Sequence, residues 1–340
     1  MSAADHSKLL KRVVEGGTLD ADASAALFGA IMAGRVDEGS LAAFLTAQAV
    51  RGPTVEEITG AARAMRAAMK TIAAPEGAMD LCGTGGDGHG TLNISTAVTF
   101  VVAAAGVPVA KHGNRSASSR AGAADVLEKL GARIDLAPEA AEACLRQTGL
   151  CFLFAQVHHP AMKHVAPVRK ALRIRTIFNL LGPLSNPARV KRQLLGVYAR
   201  EWLEPLAQVL GALGSETAWC VHGEDGLDEI TTTGLTYVAV LDGGKVSAMD
   251  VIPQDADLPR ATLAELKGGD AEENAAALLR LFEGARGAYR DIVLLNAAAA
   301  FVVAGKVGDL RSGAALAAEM LDSGAAKRKL EAFVAATRAA

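Results

Sequence analysis

Apolar residues recur at three- and four-residue steps through the first 75 positions, and the pattern breaks only at Gly16-Gly17, Gly34 and Gly52-Pro53. That periodicity predicts helices and no strands. Thr54 followed by Glu57 has the spacing of a capping box, in which each side chain satisfies a backbone amide at the start of a helix. Residues 1–75 are therefore expected to form a small helical domain.

From Met79 onward, short β-prone apolar runs at 107–110, 151–155, 194–198 and 218–221 alternate with alanine-rich helical stretches. This alternation predicts an α/β domain with a central, mostly parallel sheet covered by helices. Beyond residue 270 the pattern is again helical, and 291–304 is apolar enough for a buried helix. Residues 163–187 carry many cations and end in the breakers Gly182-Pro183 and Asn186-Pro187, so the stretch reads as a crossover or hinge. The expected division is a helical domain over 1–75, with helices from about 165–190 packing on it or forming the hinge, and an α/β domain from 76–164 and 191–340.

With 51% apolar and 21% charged residues in 340, the chain has material for one large core or two unequal ones. A net charge of -2 gives no electrostatic reason to expect nucleic acid or an anionic membrane as the main partner. Cys82, Cys144, Cys151 and Cys220 stand apart without CxxC spacing, which points to buried free thiols rather than zinc or disulfides. The first residues are polar and unlike a secretory leader, and the longest apolar run, 97–110, is too short to span a bilayer. A cytoplasmic enzyme is the expectation.

The stretch Gly83-Thr84-Gly85-Gly86-Asp87-Gly88 follows an expected strand and precedes an expected helix from Ser95, an arrangement that aims backbone amides at phosphate oxygens. It matches GxGxxG literally. A dinucleotide site, however, also needs an acid about 20 residues later, and residues 88–124 contain neither Asp nor Glu. No Gly-Lys-Ser/Thr closes the loop either, so a nucleoside triphosphate site is disfavoured. The same acid-free stretch holds Lys111, His112, Arg115 and Arg120 with several hydroxyls, a donor density that suits a multiply charged phosphate ligand. A second cluster, Glu224-Asp225-Gly226-Leu227-Asp228-Glu229, lies after an apolar strand. Paired carboxylates on a loop suit Mg²⁺, which takes one or two of them together with substrate phosphates.

These residues resemble, in order, the signatures of the anthranilate phosphoribosyltransferases: the loop 83–87, Asn93-Ile94-Ser95-Thr96, Lys111-His112-Gly113-Asn114-Arg115-Ser116, and Gly226-Leu227-Asp228-Glu229. His158-His159-Pro160-Ala161-Met162-Lys163 and the run 175–184, from Arg175-Thr176-Ile177 to Gly182-Pro183-Leu184, are similar too, and the likeness covers about residues 10–335. The chain departs from the family at Leu172-Arg173-Ile174, where a glycine usually stands in the place of Arg173.

The resemblance implies a nucleoside phosphorylase/phosphoribosyltransferase fold with the active site in the cleft between the domains, and a homodimer through the helical domain. It implies the reaction of anthranilate with 5-phosphoribosyl 1-pyrophosphate (PRPP) to N-(5-phosphoribosyl)anthranilate and pyrophosphate in tryptophan biosynthesis. Carried over by position, PRPP contacts fall on Gly83, Gly86, Asp87, Thr91, Asn93, Ile94, Ser95 and Thr96. They continue over Lys111, His112, Gly113, Asn114, Arg115, Ser116, Ala117, Ser118 and Ser119, and include Ala123. Ser95, Asp228 and Glu229 are the implied Mg²⁺ ligands, with two ions expected. Gly83, Asn114 and Arg169 are the implied anthranilate partners, with His112 close by. His112 is the one candidate for a catalytic group and receives no general-base role. A pyrimidine nucleoside phosphorylase and a non-catalytic nucleic-acid-binding relative are the alternatives.

Overall fold

The computed structural model describes residues 3–115 and 120–340. Four helices come first: α1 (Ala3–Val14), α2 (Ala21–Met32), α3 (Glu38–Arg51) and α4 (Val55–Ala68). Asp20, Asp37 and Thr54 cap α2, α3 and α4 through their side-chain oxygens. The capping box of α4 is complete, with Glu57 N bonding Thr54 Oγ1 at 3.2 Å and Thr54 N bonding Glu57 Oε2 at 2.9 Å.

The α/β part then runs β1 (Met79–Gly83), α5 (Ile94–Ala104), β2 (Val109–Gly113), α6 (Ala123–Lys129), α7 (Pro138–Thr148) and β3 (Leu150–Phe154). Short helices α8 (Ala155–His158), α9 (Ala166–Leu172) and α10 (Phe178–Leu181) follow, then β4 (Arg192–Gly196), α11 (Leu203–Ala212) and β5 (Thr217–Gly223). A hairpin of β6 (Thr236–Asp242) and β7 (Lys245–Val251) precedes α12 (Ala271–Phe282), α13 (Ala288–Val303), α14 (Leu310–Asp322) and α15 (Ala325–Ala339). The seven strands form one sheet in the order β3-β2-β1-β4-β5-β6-β7. Pairing is parallel from β3 to β5 and antiparallel through β6 and β7.

Alternate residues of each strand feed opposite faces, which is why the parallel strands read as nearly continuous apolar runs. One face, with Met79, Leu81 and Leu194, packs against α5, α7 and the C-terminal helices around Phe100, Phe301 and Phe333. The other, with Leu195, Val197 and Cys220, joins a cluster containing Phe28, Phe44 and Ile58 of the helical part. Val165, Val168, Ile177, Phe178 and Leu181 belong to this second cluster, and the Phe28 and Phe178 rings stand 5.7 Å apart. Through these side chains the stretch 165–184 packs with the helical bundle. All four cysteines are buried and free. Among the described residues no helix is long and apolar enough to cross a membrane.

Candidate active site

The strand order creates a switch point. From β1 the chain winds outward to β2 and β3, then returns to the opposite side of β1 for β4 and β5. The connections leaving the carboxyl ends of β1 and β4 therefore diverge, and open α/β sheets bind ligands in the crevice so formed. Gly83 pairs with Gly196 at that edge.

The 83–90 loop begins there and is tied on both sides. Thr84 N donates to Gly196 O at 2.8 Å, and Tyr198 N donates to Thr84 Oγ1 at 2.9 Å. Gly85 N bonds Asp228 Oδ2 at 2.8 Å, which links the loop to the turn after β5. Gly86 sits at φ +76, a left-handed conformation that side chains other than glycine rarely adopt. The far end is fixed where Gly268 N bonds Gly90 O at 2.9 Å and Thr91 bridges Lys267.

Asn93 precedes α5 without capping it. Its Oδ1 accepts from Asn274 Nδ2 at 2.8 Å, and its Nδ2 donates to Ala121 O at 3.4 Å. In the first turn of α5, Ser95 N and Oγ both donate to Glu229 Oε1, at 3.2 and 2.5 Å. Ile94 and Thr96 are only 2% exposed, so their side chains face the core and only their backbones border the crevice.

Asp228, Glu229 and Asp87 thus converge at the mouth of the switch point. Burial pushes the Asp228 carboxyl well above the usual carboxylate range, and the neighbouring charges of Asp87 and Glu229 push it further. Burial likewise raises Glu229 to about 7, against the lowering influence of the Ser95 hydrogen bonds and the Lys111 charge. Among the described residues no three His, Cys, Asp or Glu side chains gather closely enough to hold a metal by themselves. Two carboxylates, one bonded to the Gly85 amide and the other to the Ser95 hydroxyl, suit Mg²⁺, which keeps several waters and completes its shell with substrate phosphates.

The second wall comes from β2. Lys111 is buried and its ammonium donates to Leu81 O. His112 N bonds the buried Asp80 Oδ1 at 2.9 Å. The His112 ring lies between two partners, with Nδ1 3.1 Å from Gly182 O and Nε2 3.2 Å from His159 Nε2. A carbonyl only accepts, so Nδ1 carries the His112 proton and Nε2 accepts from His159. Burial holds the His112 imidazole well below its ordinary range and His159 at about 4, so both rings are neutral. With its one lone pair engaged, His112 is not free to take a proton. His158 bonds Lys70 O through Nδ1 at 2.8 Å.

Asn114 is exposed at the end of β2, its Oδ1 accepting from Arg115 N at 2.8 Å. Arg115 turns away from the crevice to Asp125 at 2.9 Å and Glu128 at 2.5 Å. Ala123 opens α6 beside Gly113, where a Cβ would meet Phe152 at 2.7 Å. Ser116, Ala117, Ser118 and Ser119 lie outside the described residues. Arg169, in the last turn of α9, is half-buried with its guanidinium 5.7 Å from the Phe178 ring centroid. Burial lowers its pKa, and no carboxylate pairs with it among the described residues.

Two contacts at the site escaped the sequence reading. Arg175 reaches Gly86 O and stacks on Tyr198, and the His89 ring lies against Gly226, where a Cβ would come within 2.8 Å of Nε2. Both join segments far apart in the chain, which local patterns do not register.

The model of the glycosyl transferase family, a/b domain, matches residues 75–327, and that of the family's helical bundle domain matches 7–69. The anthranilate phosphoribosyltransferase of Parvibaculum lavamentivorans is 56% identical over 98% of this chain and 98% of its own length. That of Bradyrhizobium diazoefficiens is 55% identical over 97% and 98%. Among solved structures, the anthranilate phosphoribosyltransferase of Thermus thermophilus is 46% identical with a TM-score of 0.93, covering 97% of this chain and 99% of that one. The Saccharomyces cerevisiae enzyme in complex with PRPP and Mg is 27% identical with a TM-score of 0.90, covering 100% and 99%. In its sequence from end to end, and in the two-part fold that surrounds the crevice, the chain belongs to the anthranilate phosphoribosyltransferases, within the glycosyl transferase family.

Proposed function

We propose that the chain transfers the phosphoribosyl group of PRPP to anthranilate with Mg²⁺, releasing pyrophosphate, as a step of tryptophan biosynthesis in the cytoplasm. The observation that carries this reading is the bonding of Asp228 and Glu229 to Gly85 and Ser95, which sets a pair of desolvated carboxylates against a glycine loop at the switch point.

In this reading, residues 83–87, Thr91 and 93–96 hold the pyrophosphate and ribose, the last group partly through backbone amides at the start of α5. Lys111 supplies a buried charge, and residues 112–119 with Ala123 line the ribose phosphate, except for the Arg115 side chain, which is turned to Asp125 and Glu128. Ser95, Asp228 and Glu229 are proposed to hold Mg²⁺, with two ions proposed on the family resemblance and Asp87 acting through metal-bound water or the ribose. The metal neutralises charge that builds on the departing pyrophosphate. Arg169 faces the acceptor carboxylate, since its planar fork donates two parallel bonds and among the described residues no carboxylate pairs with it. Gly83 and Asn114 border the aromatic ring.

The amine nitrogen bonds to the anomeric carbon as the bond from that carbon to pyrophosphate oxygen breaks. The arylammonium so formed is strongly acidic and gives its proton to water, so no protein base is required. Alignment and stabilisation of the leaving group carry the rate. Loss of anthranilate fluorescence on adding PRPP and Mg²⁺ tests the proposal, and no turnover by folded protein refutes it.

We also propose that residues of about 165–190 form the hinge of the helical domain, supported by their share in its apolar cluster. The same domain is proposed to make a homodimer. Val14 and Val50, 55% and 86% exposed on α1 and α3, support this, and light scattering reads the mass.

A further inference from the structure

Arg175 stands outside the assignments made above. It follows α9 by three residues, and its guanidinium is engaged twice at the switch point. Nη2 donates to Gly86 O, and the guanidinium carbon lies 3.9 Å from the centroid of the Tyr198 ring, just beyond β4. A cation this close to an aromatic face is held by the ring quadrupole. Gly86 matches it from the other side: a Cβ there would stand 3.2 Å from Arg175 Nη2, so the loop approaches as near as glycine permits. No carboxylate pairs with Arg175 among the described residues, and its charge is committed to a loop carbonyl and a ring.

The same short stretch carries Arg169. Helix α9 ends at Arg173 in the left-handed conformation, φ 52, and Ile177 and Phe178 are buried in the helical cluster beyond it. Phe178 in turn lies under the Arg169 guanidinium. The Gly86 carbonyl is thus linked through Arg175 to a segment that is pinned at one end by Phe178 and bears Arg169 at the other.

We infer that Arg175 is a positioning residue that couples the pyrophosphate loop to the acceptor site, so that occupancy of one sets the arginine of the other. The inference rests on reading Arg169 as the anchor of the anthranilate carboxylate. Coupling of this kind is reciprocal and spans about 5- to 150-fold in affinity.

Anthranilate binding, followed by its own fluorescence, is measured with and without Mg²⁺ and pyrophosphate, a pair that fills the loop without supplying a ribosyl group to transfer. Wild-type protein is expected to bind anthranilate at least about fivefold more tightly with pyrophosphate present. Arg175→Ala and Tyr198→Leu are expected to bind it equally with and without, whereas Tyr198→Phe, which keeps the ring, retains the ratio. A general loosening of the site lowers both affinities and leaves the ratio alone, and thermal melting checks that each variant is folded. An unchanged ratio in Arg175→Ala, or no coupling in the wild type, overturns the inference while the proposed reaction stands. Absence of anthranilate binding to the wild type overturns the reading of Arg169 and the inference together.

Discussion

Replacing Gly83 with alanine probes the tightest approach in the site. Gly83 does not sit in the left-handed region, so alanine meets no backbone strain there. Its Cβ would stand 2.5 Å from Asp228 Oδ2 and 3.2 Å from Cγ, while the Gly196 carbonyl at 3.6 Å is an ordinary contact. Only a rotatable carboxylate has to give, which costs about 1 kcal/mol in an off-rotamer side chain. Moving it, however, breaks the 2.8 Å bond from Gly85 N. With Asp228 held in its neutral form by burial, that hydrogen bond contributes about 0.5–1.5 kcal/mol, or about 2- to 12-fold at about 1.4 kcal/mol per decade. Gly83→Ala is therefore expected to lower kcat/KM for PRPP by about that factor and to raise the Mg²⁺ concentration for half-activity, with a melting shift of about 2–4 °C. Gly196→Ala is the counter-case, because its Cβ would overlap the backbone carbonyl of Asp228, which no rotamer change relieves. That variant is expected to lose at least about 3 kcal/mol of stability, the upper end of the cost of overpacking, as well as activity. Steady-state kinetics, Mg²⁺ titration and thermal melting of both variants decide the matter. Unchanged kinetics in Gly83→Ala would remove Asp228 from the site, and equal melting losses in the two would refute the rotamer argument.

Arg169→Ala is expected to raise KM for anthranilate at least about tenfold, since it removes a charge-assisted bond pair, with KM for PRPP changed far less; equal effects on both substrates refute its role. Asp228→Asn combined with Glu229→Gln is expected to weaken Mg²⁺ dependence, and a metal titration like that of the wild type would exclude both as ligands. The buried histidines set a pH dependence of stability. His159 titrates at about 4 folded and at about 6.5 unfolded, so the unfolded chain binds more protons between those values. Stability from this group is complete above about 6.5 and lost as pH falls through about 4. Melting temperature is expected to drop on acidification across that window and to drop less in His159→Gln; equal slopes would show that His159 is not held neutral by the fold.

Local grammar made much of this legible. The three- and four-residue steps of the first 75 positions became α1 to α4, and the Thr54 and Glu57 spacing became a complete capping box. The four apolar runs became β2 to β5, and the apolar stretch near 291–304 became α13. The β6-β7 hairpin was not anticipated. Its turn is Gly243-Gly244, but β7 is an edge strand mostly open to solvent, so it has no buried face to impose a period of two. At the site, the glycine loop and the two carboxylates stood out because each is a compact run. The partnerships of Arg115 with Asp125 and Glu128, and of Arg175 with Gly86, did not, because a basic residue in sequence carries no mark of which charge or carbonyl it will meet.

Those partnerships explain how an anion site tolerates its own acids. Asp87, Asp228 and Glu229 stand where a pyrophosphate is proposed to bind, an arrangement that repels the ligand unless a cation intervenes. Among the described residues, the cations Arg115, Arg175 and Lys111 are engaged by other groups of the protein. Arg115 is neutralised by Asp125 and Glu128, Arg175 is spent on a carbonyl and a ring, and Lys111 donates to Leu81 O while reaching Glu229 only through its charge. Burial raises the pKa of both Asp228 and Glu229, and the charges of Asp87 and Glu229 raise Asp228 further, against the hydrogen bonds from Gly85 and Ser95. Bound Mg²⁺ would favour the ionised carboxylates, and Asp228 and Glu229 are the residues proposed to hold it. If Asp228 and Glu229 hold the metal as proposed, a preference for the magnesium complex is expected, because Arg115, Arg175 and Lys111 are engaged elsewhere.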